Sequence, residues 1–313
     1  MELYLHTADG GRARLPEPFR WRFSLGCGDG CDAFDLSCAY DPSQDGVLPR
    51  AARLSAFHEG RQVFFGPLDE WTAALGPDGW DTRLTGRGMQ ALLLDNQAEP
   101  AHFARAGWRD IAARYVTPFG VAAETADLPE TADFQVASGA SAWRAVTAYA
   151  ADRAGRYPRF TPAGTLTVAP FATAKDVLDL SRLGLRVTCA RNRYGVVSEA
   201  LVRNRDTLQS YRIKNAAYPD EGRRLVMTGV GREGVAAMET SARLAMKQSL
   251  RGFVTVTAVL PWPFAAWPGD TLTLTALPAA FAENPYVVWE AETACAPGNG
   301  CETRLTLTPA RYL

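Results

Sequence analysis

Histidine is scarce in this sequence, long apolar runs are missing, and neither sign of charge is in excess. Each shortage closes off a class of function. Only three histidines occur in 313 residues, His6, His58 and His102. None has a second His or a carboxylate at ligand spacing, so imidazole chemistry has no framework here. Thirty-three bases against 34 acids leave a formal net charge of −1, which provides no global field for nucleic acid or an anionic membrane. No stretch reaches the roughly 18 uninterrupted apolar residues that a membrane helix requires. The start, Met1-Glu2-Leu3-Tyr4-Leu5-His6, alternates and carries an early acid, unlike the basic then apolar start of a secretory signal. We expect the chain to stay in the cytosol where it is made unless an assembly carries it out. G-x-S-x-G, H-E-x-x-H, P-loop and G-x-G-x-x-G runs are also missing.

The six cysteines, Cys27, Cys31, Cys38, Cys189, Cys295 and Cys301, form no C-x-x-C pair. They read as small buried hydrophobes rather than metal ligands. Cys189 lies in an apolar strand with no base nearby in sequence, as a thiol nucleophile would need. Gly26-Cys27-Gly28-Asp29-Gly30-Cys31 is Gly-rich, but neither a base nor a helix follows to hold a phosphate, and it reads as a loop. Asp69 and Glu70 are adjacent on a strand and so point to opposite faces, which prevents them from acting as a glycosidase pair. The basic pairs Arg12/Arg14, Arg191/Arg193, Arg203/Arg205 and Arg223/Arg224 are interrupted by Asp206, Asp220 and Glu221. They fit a solvated or subunit-facing surface better than a nucleic-acid stripe. No residue is therefore nominated as catalytic, cofactor-binding or metal-ligating, and no cofactor is expected.

What is present is β structure. Met1–Ala8, Phe19–Leu25 and Phe34–Tyr40 alternate in the way of half-buried strands. Arg53–Phe57 and Gln62–Phe65 flank Glu59-Gly60, and Leu68–Leu75 and Trp80–Thr85 flank Gly76–Gly79, giving two hairpins. Helical spacing then appears at Trp108, Ile111, Ala112 and Tyr115, stopped by Pro118 and Gly120. It appears again at Trp143, Val146, Ala150 and Ala154 behind Ser141 as N-cap. Ala122–Ala137 reads as irregular, and Tyr157–Phe160 with Leu166–Val168 as a hairpin. Strands return at Leu185–Cys189, Tyr194–Val202, Gln209–Lys214, Phe253–Val259, Asp270–Leu277, Tyr286–Thr293 and Cys301–Thr308. One helix falls between Gly231 and Arg251, with Val235, Met238, Ala242, Ala245 and Ser249 on one side. Pro261–Pro268 is a Pro-rich aromatic loop.

The β parts echo each other. Residues 72–85 align without gaps on residues 293–306, and seven of the fourteen pairs are identical. Such a match favours duplication of a small barrel. It makes Cys295 and Cys301 cross-strand neighbours around one hairpin loop, placed where Ala74 and Trp80 sit in the first copy. They would be reduced in the cytosol and able to oxidise after release.

Val63-Phe64-Phe65-Gly66-Pro67-Leu68-Asp69-Glu70-Trp71 and Thr85–Pro100, with its Leu93-Leu94-Asp95-Asn96 run, resemble the baseplate hub proteins of contractile-tailed phages, prophages and phage-tail-like bacteriocins, especially those of Gram-positive hosts. The resemblance extends through Ile111–Val121, Ser141–Ala154 and the late Pro268-Gly269-Asp270 with its two final strands. The cysteines are not part of that pattern. The resemblance implies a mainly β fold in which two similar tube-like β-barrels flank an α/β insertion. The expected boundaries are a first barrel at 1–96 (completed by strands from about 183–225), the insertion at 97–182, and a second barrel at 183–313 with a helix at about 232–250. It implies a structural homotrimer that forms a pseudo-sixfold ring and joins the tail tube protein to the central spike protein among other baseplate components. DNA would meet the ring only by passing through the lumen, and the setting would be a virion or tail-like particle assembled in the bacterial cytoplasm. A tail-associated cell-wall hydrolase and another tail-tip binding module are the alternative readings.

Overall fold

Alternating apolar residues and Gly-containing turns do organise the first stretch. The computed structural model of the chain describes residues 1–28, 30–174, 176–181 and 186–313, with the side chains of 231–234 and 237 outside that description. The first strands are β1 (Glu2–Thr7), β2 (Arg12–Arg14), β3 (Pro18–Gly26), β4 (Ala33–Ala39), β5 (Ala51–His58), β6 (Arg61–Gly76) and β7 (Gly79–Arg87). The runs Gln62–Phe65 and Leu68–Leu75, expected as separate strands, are one 16-residue strand. Pro67 is tolerated inside it because β6 changes partner there: it pairs with β5 as far as Pro67 and with β7 from Leu68 onward.

The next segment holds α1 (Ala91–Leu94), β8 (Ala101–Ala106), α2 (Trp108–Tyr115), β9 (Thr131–Val136), α3 (Ala142–Thr147, continued by a π turn to Arg153), β10 (Arg159–Phe160) and β11 (Leu166–Thr167). Ser141 caps α3 by accepting a hydrogen bond from the Arg144 amide. The helices bury Trp108, Ile111, Tyr115, Trp143, Val146 and Tyr149 in one core. The antiparallel β8–β9 pair, which brackets α2 in the chain, was not expected: β8 buries only Ala106, and β9 only Phe134 and Val136.

The remaining elements are β12 (Asp176–Asp179), β13 (Arg186–Arg191), β14 (Val197–Asn204), β15 (Ser210–Lys214), β16 (Arg223–Gly229), α4 (Gly231–Leu250), β17 (Val254–Leu260), β18 (Thr271–Thr275), β19 (Tyr286–Ala296) and β20 (Gly300–Pro309). The fold is mainly β with a mixed α/β segment, as the sequence indicated.

Contacts group the chain into two units. One comprises residues 1–172, 260–269 and 289–304, and the other 173–259, 270–288 and 305–313. The expected boundary at 182 lies outside the described residues. In the first unit the strand order is β19-β3-β4-β7-β6-β5-β1-β2. Strands from about 183–225, offered by the sequence as completion of the first barrel, belong instead to the second unit; the strand beside β3 is β19, through Glu290–Cys295. The aromatic loop also joins the first unit. Phe264 stacks between Trp21 and Trp267, with ring centroids 5.5 and 5.9 Å away, and shares the core of Phe23, Phe34 and Phe64.

The second unit contains a three-stranded sheet in the order β15-β14-β16. One face, with Ala200, Val202, Ile213, Leu225 and Met227, packs on Ala242 and Met246 of α4. Met246 takes the core place expected of Ala245, and the Ser249 hydroxyl accepts the Val197 amide at 2.9 Å.

Candidate assembly surface

The weighed chemical residues disperse in the fold. His6 bonds the Ser55 hydroxyl at 2.8 Å, and its pKa is lowered by burial and by Arg12 and Arg53. His58 lies against Phe264, ring to ring at 5.4 Å, and His102 pairs with Asp133 at the surface. Burial pushes the Cys31 thiol up to about 12 and the Cys38 thiol up to about 11, and it raises Cys189 as well. Such thiols are poor nucleophiles. Among the described residues, no three His, Cys, Asp or Glu side chains gather as a metal-binding group. No helix among them is long and apolar enough to cross a membrane.

The family-like motifs meet in one structural knot. Arg87 of the Thr85–Pro100 stretch makes a fork to Asp69 (2.8 and 3.1 Å) and a second fork to Asp95 (3.0 and 2.8 Å). The paired carboxylates raise the Arg87 pKa, and the guanidinium lowers that of Asp95. Asn96 donates to the Leu92 carbonyl and closes the short helix. Gly66 and Gly86 are needed where β6 and β7 cross most closely. A Cβ on Gly66 would stand 2.0 Å from the Arg87 carbonyl oxygen, and one on Gly86 would stand 2.2 Å from that of Pro67. The sequence singled out these residues as a motif; their work is to fix the base of the β6–β7 hairpin.

Beyond that base β7 stays paired with β4 as far as Asp81, and the Trp80 carbonyl accepts the Tyr40 amide at 3.1 Å. Residues 69–80 are all exposed on both strands. Past Pro67 the outer edge of β6 carries no partner strand among the described residues. Leu75 faces Trp80 across the hairpin, and Trp71 faces Leu84. Strand alternation therefore puts Trp71, Ala73, Leu75 and Trp80 on one face. Leu75 is 67% exposed and Trp80 54%. With Phe19 and Pro297 they line an open groove of about 640 Å³. From Leu68 to Asp81 the chain carries Asp69, Glu70, Asp78 and Asp81 and no base.

A second surface is the face of β14–β16 opposite α4. Alternation places Glu199, Leu201 and Arg203, Arg212 and Lys214, and Arg224 and Val226 there. Leu201 lies between Arg212 and Val226 in the ladder. Arg212 and Arg224 both reach Glu199, which lowers its pKa, Arg224 foremost. Asp220 and Glu221 border the groove at one end, where Arg193 pairs with Asp220.

The echoing hairpins share burial order: Thr82 and Leu84, like Thr303 and Leu305, are buried, and Arg83 and Arg304 are exposed. Their registers differ by one residue. Ala73 faces Thr82 and Ala74 faces Asp81 in the first hairpin. In the second, the Thr293 and Thr303 hydroxyls are 3.0 Å apart, and Cys295 is disulfide-bonded to Cys301 with Cα atoms 4.1 Å apart. The two cysteines are therefore the cross-strand neighbours expected. Ala74 and Trp80, their sequence equivalents, do not face each other.

No family model matches the sequence, and no curated protein matches it. Solved structures do match in fold. A tail protein from Neisseria meningitidis MC58 superposes with a TM-score of 0.78 at 16% identity, over 99% of this chain and 96% of that one. The 43 kDa tail protein of prophage MuSo2 from Shewanella oneidensis gives 0.77 at 12% identity, over 100% and 99%. An E. coli component of the type VI secretion system, described as similar to two bacteriophage T4 tail proteins, gives 0.60 at 12% identity, over 94% and 73%. This chain has the fold of these tail proteins along its whole length.

Proposed function

We propose that the chain is a structural hub subunit of a contractile-tail baseplate, a homotrimer that joins the tail tube to the central spike and performs no catalysis. The observation that carries this reading is the fold likeness to two tail proteins over 99% and 100% of this chain. The hub-like motifs support it, since they converge on the Arg87 knot and set up an exposed hairpin. The pseudo-sixfold ring rests on the sequence echo of residues 72–85 in 293–306, both hairpins of which turn within the first unit: two similar parts per chain and three chains would match a sixfold tube to a threefold spike. The assembly belongs in a virion or tail-like particle, and DNA meets this protein only in the lumen.

The test is mass in solution followed by docking onto purified tail tubes. A species of three chains that binds tubes is the expected result. A protein that ignores tubes and instead clears a peptidoglycan gel overturns the proposal in favour of a tail-associated hydrolase.

A further inference from the structure

Resting on that reading, we propose that the β6–β7 hairpin of one copy docks on the outer face of the β14–β16 sheet of a second copy. The hairpin has the properties of a segment built to be covered. Past Pro67 β6 is the outermost strand of the order β4-β7-β6, and the hairpin displays Trp71, Leu75 and Trp80. Its outer edge presents unpaired backbone groups over an uncharged run, Trp71-Thr72-Ala73-Ala74-Leu75-Gly76. No lysine, arginine or proline interrupts that run, although such residues are the usual protection of an edge strand.

Charge selects the occupant. The hairpin carries four acids and no base between Leu68 and Asp81. Arg87 is shared between Asp69 and Asp95; Glu70 precedes the uncharged run, and Asp78 and Asp81 follow it. The outer face of the sheet is its complement. Leu201 and the half-exposed Val226 make an apolar centre. Arg203, Arg212, Lys214 and Arg224 surround them; Glu199 pairs with Arg212 and Arg224, and Asp220 and Glu221 border the groove at one end. β15 and β16 both end the strand order, so that sheet too has open edges. An acid-rimmed apolar arm meeting a base-rimmed apolar face is a heterologous contact, the kind that closes a ring when repeated by rotation.

The experiment uses the full chain and reads self-association by light scattering across concentration and salt. Glu70→Arg with Asp78→Arg, and separately Arg203→Glu with Lys214→Glu, should each weaken association at least about tenfold. All four residues are on the surface, and unchanged circular dichroism and melting will show that the variants fold. Combining both pairs in one chain should restore association to within about threefold of the original. Failure of the combined variant to recover, or indifference to either pair, overturns the proposal, as does a wild-type chain that stays monomeric at every concentration. Tube binding is scored separately. A chain that passes the charge-swap test yet ignores tail tubes keeps the docking contact and loses the hub reading. One that forms a tube-binding trimer yet is indifferent to the charge swaps does the reverse.

Discussion

Asp32 is an acid placed far from water. It is 7% exposed, and its carboxylate accepts one hydrogen bond, from the Gly26 amide at 2.8 Å. Burial pushes its pKa up to about 7. The fold therefore prefers the protonated acid. Below the unfolded pKa of 3.8 both states hold the proton and the acid costs nothing. As pH rises towards 7 the unfolded chain releases the proton and the folded chain retains it, so stability falls across that window and levels off above it. The loss is at most about 4 kcal/mol, since each pKa unit is worth about 1.4 kcal/mol. Denaturant unfolding between pH 4 and 8 should show this decline. Asp32→Asn, which keeps an acceptor for Gly26, should flatten the decline and be the more stable protein at pH 8. Equal slopes for the two proteins would refute the assignment.

Among elements, the β19–β20 hairpin is the one closed covalently. The Cys295–Cys301 disulfide spans six residues, and a loop that short contributes about 2 kcal/mol by restricting the unfolded chain. The double variant Cys295→Ser/Cys301→Ser should lose about that much in denaturant, and adding reductant to the parent protein should reproduce the loss; a midpoint insensitive to both would show that the bridge contributes nothing. The pairing was legible because a sequence repeat carried the hairpin turn with it. The register was not, because Ala74 and Trp80 are free of the constraint that joins the cysteines. The same contrast holds elsewhere. Strands with strong alternation, such as β1, β3 and β17, stand close to their expected limits. β16 was missed because its first two residues are arginines and α4 covers only alternate positions. The exposed hairpin was seen as a hairpin, but not as exposed. Exposure depends on β5 leaving β6 at Pro67, a tertiary fact with no local signal beyond the proline itself.

For the whole molecule, the hub reading makes a symmetry prediction. Imaging of assembled particles should show two superposable β-barrels per chain, about 60° apart around a common axis, with three chains completing the ring. Two β domains of unlike topology in the assembled state would contradict the duplication. The α/β segment of β8–β11 should lie outside the lumen, where it does not block passage. Zymography on cell walls should show no clearing by the pure protein.

The discontinuous make-up of the first unit also sets a timetable for synthesis. That unit takes 172 residues from the start of the chain but draws its Phe264 plug from 260–269 and the neighbour of β3 from 289–304. A nascent chain that has emerged only as far as residue 259 holds an aromatic core with an open side and a β3 edge without its partner. Native closure must wait until residues 260–304 have been made. Such long-range pairing is slow and leaves strand edges exposed meanwhile. The ribosome-bound intermediate, rather than the finished protein, is where a chaperone or an already folded second copy has most to gain by binding early.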